Sequence, residues 1–181
     1  MHLKNMLLIC RHTSAKITND MNSYLLFKLL HIIAVIVFLG NVYTGLFWMK
    51  QANKTSDPGI IAFTMGNIIK SDRWFTVPSV IIITAGGISA ALYAQTPILR
   101  TGWIFWPIIL FTFSGLVFSA KLVPLQKRIF KIASMMGASK DKTAEYNSML
   151  SAWEHWGHIA ILAPLAALVM MVLKIPVQRG F

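Results

Sequence analysis

The sequence predicts an all-α integral membrane protein, a four-helix bundle with its N- and C-termini outside. Three observations carry that prediction. Of 181 residues, 56% are hydrophobic and 13% charged, where a soluble domain carries about 25% charged residues. Four apolar runs, about 25–47, 74–94, 103–123 and 156–173, are each long enough at about 1.5 Å per residue to cross a hydrocarbon core of roughly 30 Å. The 17 lysines and arginines, against 6 acids, fall in the connections between those runs. They act as a topology signal, with the lipid bilayer as the partner and no role for nucleic acid.

Residues 1–20 are mixed and basic, and their apolar run from Met6 to Cys10 is shorter than the roughly 7–15 residues of a signal-peptide core. They are expected to be a disordered extension, ahead of a single membrane domain over 21–176 and a short tail, 177–181. Cys10 is the only cysteine, so an internal disulfide, a thiolate zinc site and a Cys-x-x-Cys pair are all excluded. Any metal must be held by His, Met or carboxylate.

Span one, about 25–47, contains His31. An ionisable group in an apolar span is costly and marks a protein interior, a cavity or a bound group. His31 lies about 5 Å below the outer end of the run if the helix is straight. Tyr24, Lys28, Phe38 and Gly45 fall within about 60° of it on a helical wheel. After span one, Asp57-Pro58-Gly59 reads as a turn and helix start. The apolar residues Ile60, Ile61, Phe63, Ile68 and Ile69 then suggest a short interfacial helix, with Ser71 or Asp72 capping span two.

Span two, about 74–94, carries Ser79, Gly86, Gly87, Ala90 and Ala94 on one face, which permits close approach of a neighbour. A short loop through Pro97 and Gly102 leads to span three, where Thr112, Gly115 and Ser119 form a second small-residue stripe. Pro124 and the basic run Lys127 to Lys131 are expected to end it. A helix from about Lys140 to Leu150 then enters span four, about 156–173, with Pro164 inside it and Ala160, Ala163 and Ala167 on its packing face.

Orientation follows from the cations. The connections after spans one and three hold Lys50, Lys54, Lys70, Arg73, Lys121, Lys127, Arg128, Lys131, Lys140 and Lys142, against only Arg100 in the loop between them. Those two connections are therefore expected to be cytoplasmic.

Two constellations could carry chemistry. His31 offers a neutral imidazole nitrogen to haem iron or to copper; the bland alternative is a histidine hydrogen-bonded to another helix. At its depth, span two offers Gly86 and Gly87, and span four offers Met170, whose thioether is a second ligand for haem or Cu(I). The other constellation is Glu154, His155 and His158, which share a helical face and form an alternative metal cluster at the inner end of span four. His31 and His158 are expected near opposite faces of the membrane, too far apart to share one iron. No phosphate loop, Ser/His/Asp pattern or HExxH occurs, which speaks against hydrolysis and ATP-driven transport.

Several stretches together resemble a known family: Leu25 to His31 with Gly40-Asn41, Ser71-Asp72-Arg73-Trp74, Thr101-Gly102-Trp103, Pro124-Leu125-Gln126, and Trp153 to Gly157 before Pro164. Over Met21 to Lys174 the chain resembles the predicted integral membrane proteins called domain of unknown function 2269. Their pattern is in turn similar to four-helix membrane proteins of the HemJ type, haem-containing protoporphyrinogen oxidases, and of the CopD type, involved in copper resistance. The resemblance implies that His31 is a haem ligand. It also implies a lysine near the start of span three, where this chain has none before Lys121.

Three functions are therefore expected to compete. The first is a haem-b-binding protein in redox or porphyrin chemistry, with His31 as a ligand, acting alone, as a homo-oligomer or with a redox partner. The second is a copper-handling protein using His31 and methionines, and the third a non-enzymatic membrane assembly protein. A multi-pass location in the inner, cytoplasmic membrane is the expectation that the resemblance brings.

Overall fold

The computed structural model describes residues 2–135 and 142–175, and it is helical throughout. The elements are α1 (His2–Lys54), α2 (Pro58–Ser71), α3 (Val77–Tyr93), α4 (Gly102–Val117), α5 (Val123–Met135) and α6 (Lys142–Leu173). Two π-helical turns, Asp72–Thr76 and Phe118–Leu122, join α2 to α3 and α4 to α5. There are thus four rods. Each contains a stretch long and apolar enough to span a membrane: Thr18–Lys54, Pro58–Tyr93, Gly102–Met135 and Ala144–Leu173.

The rods are longer than the expected spans, and the reason is local in each case. α1 starts at His2, so residues 2–20 continue the helix in place of a disordered extension; no Gly or Pro interrupts the chain between His2 and Leu39, and helix propagates where nothing breaks it. Asp57 caps α2 as expected, its Oδ1 accepting from Gly59 N at 2.7 Å and Ile60 N at 3.2 Å, with Pro58 in the first turn. The expected break at Ser71 or Asp72 is absent. Ser71 makes no capping bond, and the helix runs through a π-helical turn into α3. Pro124 and the basic run likewise fail to stop span three: the rod passes through the second π-helical turn, and Pro124 follows directly on it as the second residue of α5. The helix expected from Lys140 begins outside the described residues, and from Lys142 onward it is one piece with span four. The tail 177–181 also lies outside them.

Adjacent rods run antiparallel. At one end the Tyr146 hydroxyl donates to Asn53 Oδ1 at 2.9 Å. At the other, Phe27 stacks on Tyr93 with centroids 5.6 Å apart, and Lys174 Nζ lies 5.6 Å from the Trp103 ring. The main pairings are α1 with α3, α4 with α6, and α2 with α5.

Packing divides the bundle into two tiers. The larger core, with Met49, Met65, Ile129, Tyr146, Leu150 and Trp153 buried in it, lies at the end that carries the basic connections. The far half has a small core of Ala34, Phe38 and Ile83, and its outward surface is a belt of exposed Leu, Ile and Val, among them Leu29, Ile36, Ile81, Leu92, Leu162 and Val172. That belt suits lipid. α5 is different: Gln126, Ile129 and Ala133 face in, while Lys127, Arg128 and Lys131 are exposed. Rods of 30–37 residues measure about 45–56 Å, so they outrun a hydrocarbon core of roughly 30 Å and continue past it as an amphipathic stalk.

The small-residue faces are half as expected. Ser79, Ile83 and Gly86 of α3 and Ala160 and Ala167 of α6 are buried. Thr112, Gly115 and Ser119 face outward, and a Cβ on Gly115 would meet nothing within 4 Å; α4 turns Pro107, Ser114 and Val117 inward instead. Ser114 closes that contact by donating to the Ala160 carbonyl at 2.6 Å.

Candidate functional site

His31 lies half-buried on α1 where α3 comes closest. Its Nδ1 is 2.8 Å from the carbonyl oxygen of Ile83. A carbonyl only accepts, so Nδ1 carries a proton and Nε2 is the nitrogen not used in that bond. An imidazole anchored through Nδ1 to backbone, with Nε2 free, is the arrangement in which histidines commonly ligate metals.

The two glycines beside it make that contact possible. A Cβ on Gly87 would stand 3.0 Å from His31 Nδ1 and 3.1 Å from its Cε1, and one on Gly86 would stand 3.3 Å from the Phe27 carbonyl oxygen and 3.4 Å from His31 Cβ. The space their missing side chains leave is filled by the imidazole and by the backbone of α1. Gly86 and Gly87 therefore seat His31 rather than forming an open face for a macrocycle. Met170 is half-buried on α6, whose chief partner is α4, whereas His31 belongs to the α1–α3 pair. The donor set thus fits haem iron through one ligand, His31 Nε2.

Around His31 the surface is aromatic and cationic. Lys28 Nζ lies 5.5 Å from the Tyr24 ring, and Phe27 stacks on Tyr93 one turn away.

Glu154, His155 and His158 do not converge. α6 turns Trp153, Gly157 and Ala160 inward, which leaves His155 and His158 exposed. His158 Nδ1 donates to the backbone carbonyl of Glu154 at 2.6 Å, so its partner is the helix and not the Glu154 carboxylate. His155 meets the edge of Trp156, centroids 5.9 Å apart. Among the described residues no three His, Cys, Asp or Glu side chains gather where they could hold a metal ion.

A polar centre that the residue pattern did not single out lies deeper in the bundle, at the first π-helical turn. Asp72, 8% exposed, accepts at Oδ1 from Asn41 Nδ2 at 3.0 Å and from Thr76 Oγ1 at 2.9 Å, and at Oδ2 from Gln126 Nε2 at 2.8 Å. Asn41 Nδ2 also donates to Thr76 Oγ1 at 2.9 Å, and Asn41 Oδ1 accepts from the Ser71 hydroxyl. Three rods are tied together by one carboxylate. Asn41, Asp72 and Gln126 stand 31 and 54 positions apart in the chain, so spacing alone could not join them. The available signal was that Asn41 is a polar residue inside span one and that Asn41, Asp72 and Gln126 each fall in a stretch that carries the family resemblance. The π-helical turn is what aims Asp72 inward, since its wider ring shifts the face that the rod presents.

A family model described as a predicted integral membrane protein, DUF2269, matches residues 25–175. No curated protein matches the chain, and no solved structure does.

Proposed function

The chain belongs to the DUF2269 family of predicted integral membrane proteins, and from that premise we propose that it binds haem b through His31, on the outer side of the cytoplasmic membrane. The observation that supports this reading is the anchoring of the ring. Its Nδ1–H is committed to the Ile83 carbonyl at 2.8 Å, which leaves Nε2 as the nitrogen that a haem iron would take from the neutral ring. Bound haem would supply one-electron chemistry at iron.

The protein's own part is to hold and tune the ligand. The Ile83 carbonyl fixes the imidazole's orientation through the Nδ1 proton. Gly86 and Gly87 let α1 and α3 approach closely enough for that bond to form. The apolar belt keeps bulk water from the ring, and the cation distribution of the connections is what assigns His31 to the outer side. The copper alternative would use the same Nε2 and needs a second soft donor beside it, and α3, the helix packed on His31, carries no methionine.

The test is the absorption spectrum of protein purified after expression with ample haem. A Soret band is expected that His31→Ala abolishes and Met170→Ala leaves in place. Colourless protein would refute the proposal, and a loss of stability in His31→Ala without any chromophore would assign the ring to helix packing and the protein to the assembly class.

A further inference from the structure

The Asp72 centre borders an internal void to which all four rods contribute, among them Asn41, Asp72, Leu122, Gln126, Trp153 and Gly157. Its free volume of about 10 Å³ is the room that one water needs. Both π-helical turns supply residues to it, Asp72 from the first and Phe118 and Leu122 from the second; such turns in long helices often mark functional positions.

Two observations point to an occupant. Trp153 is 2% exposed, and its Nε1 is the one buried side-chain polar atom among the described residues without a hydrogen-bond partner. Buried indole N–H groups find an acceptor, and the void Trp153 borders is where one can stand. Asp72, moreover, is a buried carboxylate whose hydrogen-bond partners, Asn41, Thr76 and Gln126, are all neutral. A buried carboxylate held only by neutral groups lacks compensation for its charge. A proton supplies that compensation.

We propose that the void is a hydrated proton-binding site, with one water between Trp153 and Asp72 and with Asp72 as the group that takes up the proton. The water accepts from the Trp153 indole N–H and donates to the carboxylate. On uptake the water gives a proton to Asp72, forming its O–H bond, and regains one from the solvent side. The net change is one proton lost from solution and one negative charge neutralised.

A route in is built beside the void. A groove of about 300 Å³ between α1 and α2 is lined by Asn41, Thr44, Thr64, Asn67 and Ser71 on one hand and by Trp48, Phe63 and Ile68 on the other. Asn41, Gly45 and Ile68 border both spaces, and Asn41 is the polar member of that partition.

The cations on the surrounding rods are exposed. Lys50, Lys70, Arg73, Lys127 and Arg128 are exposed, Lys121 is exposed with its Nζ 5.6 Å from the Trp156 ring, and on α6 Glu154 is half-buried while His155 and His158 are exposed. None of this depends on His31 or on haem.

The test is an acid-minus-neutral infrared difference spectrum of the purified protein. A carboxylic C=O band that shifts in D2O is expected, and it should be missing from Asp72→Asn. A difference spectrum that is the same in Asp72→Asn and the parent overturns the proposal. Should Asp72→Asn fail to fold, Asp72→Glu keeps a carboxyl and must move the band; an unmoved band overturns it equally. The water has its own arm. In the same difference spectrum a water O–H band that shifts in H2(18)O is expected, and it should be missing from Trp153→Phe; a spectrum with no band sensitive to H2(18)O shows that no water is bound there.

Discussion

His31 and Asp72 illustrate two ways of placing a polar side chain in an apolar bundle. His31 satisfies one ring nitrogen on a backbone carbonyl and leaves the other free, at the cost of requiring glycine opposite. Gly87→Ala puts a Cβ 3.0 Å from His31 Nδ1, so either the ring or the helix must yield. We predict a loss of about 1–3 kcal/mol in stability, as for other overpacked sites, together with a weakened or shifted Soret band; an unperturbed unfolding midpoint would contradict the tight seat. Asp72 instead gathers donors from three rods. Gln126→Ala strips Oδ2 of its donor and should cost about 1–3 kcal/mol, the penalty for leaving a buried polar group unpaired, measured as a lowered midpoint in detergent. His31 was legible as an oddity because its own span is otherwise apolar. Asp72 was not: it sits beside Arg73 and Ser71, and in one dimension that cluster looks like a solvated helix start.

At the scale of elements, the residue pattern located the apolar spans and the start of α2 at Asp57, but not the continuity between α2 and α3 or between α4 and α5. Asp57-Pro58-Gly59 announced the start of α2 because capping chemistry is local. The two π-helical turns were illegible, since a π turn has no residue signature comparable to Pro or Gly and is selected by what the helix must face on either side. Each such turn shifts the register of everything beyond it. Deleting one residue from the first, for example the exposed Phe75, should restore ordinary α-helix and rotate Asp72 by about 100° relative to α3, one residue's turn of the helix. Such a variant is expected to lose the Asn41 and Gln126 bonds and to fold poorly; unfolding at the parent's midpoint would show that the turn does not position the carboxylate. The stripe of Thr112, Gly115 and Ser119 shows the opposite error. Small residues at helical spacing were read as a packing face, yet α4 buries Ser114 and Val117, because the hydrogen bond from Ser114 to Ala160 fixes which side of the helix meets α6.

For the molecule as a whole, four spans and their alternation were readable from hydropathy, whereas the height of the bundle was not. Apolar length reports only the part immersed in lipid; the stalk is held by an amphipathic pattern spread over α2, α5 and the start of α6, each too short or too charged to register as a span. The cation count is the reason to expect that stalk on the cytoplasmic side. In a background with Cys10 replaced, a cysteine at Lys131 should resist a membrane-impermeant thiol reagent in intact cells, while one at Arg100 should react; the reverse pattern would invert the orientation. The two-tier core has a further consequence, for the order in which the structure comes apart. The tier around Met49, Met65, Ile129 and Trp153 is densely buried, whereas the lipid-side tier rests on Ala34, Phe38, Ile83 and the single bond from His31 to Ile83. The stalk should therefore behave as the last cooperative unit to open, with its amides the slowest to exchange, and the α1–α3 contact at His31 as a hinge that can part and reclose while the base of the protein stays folded.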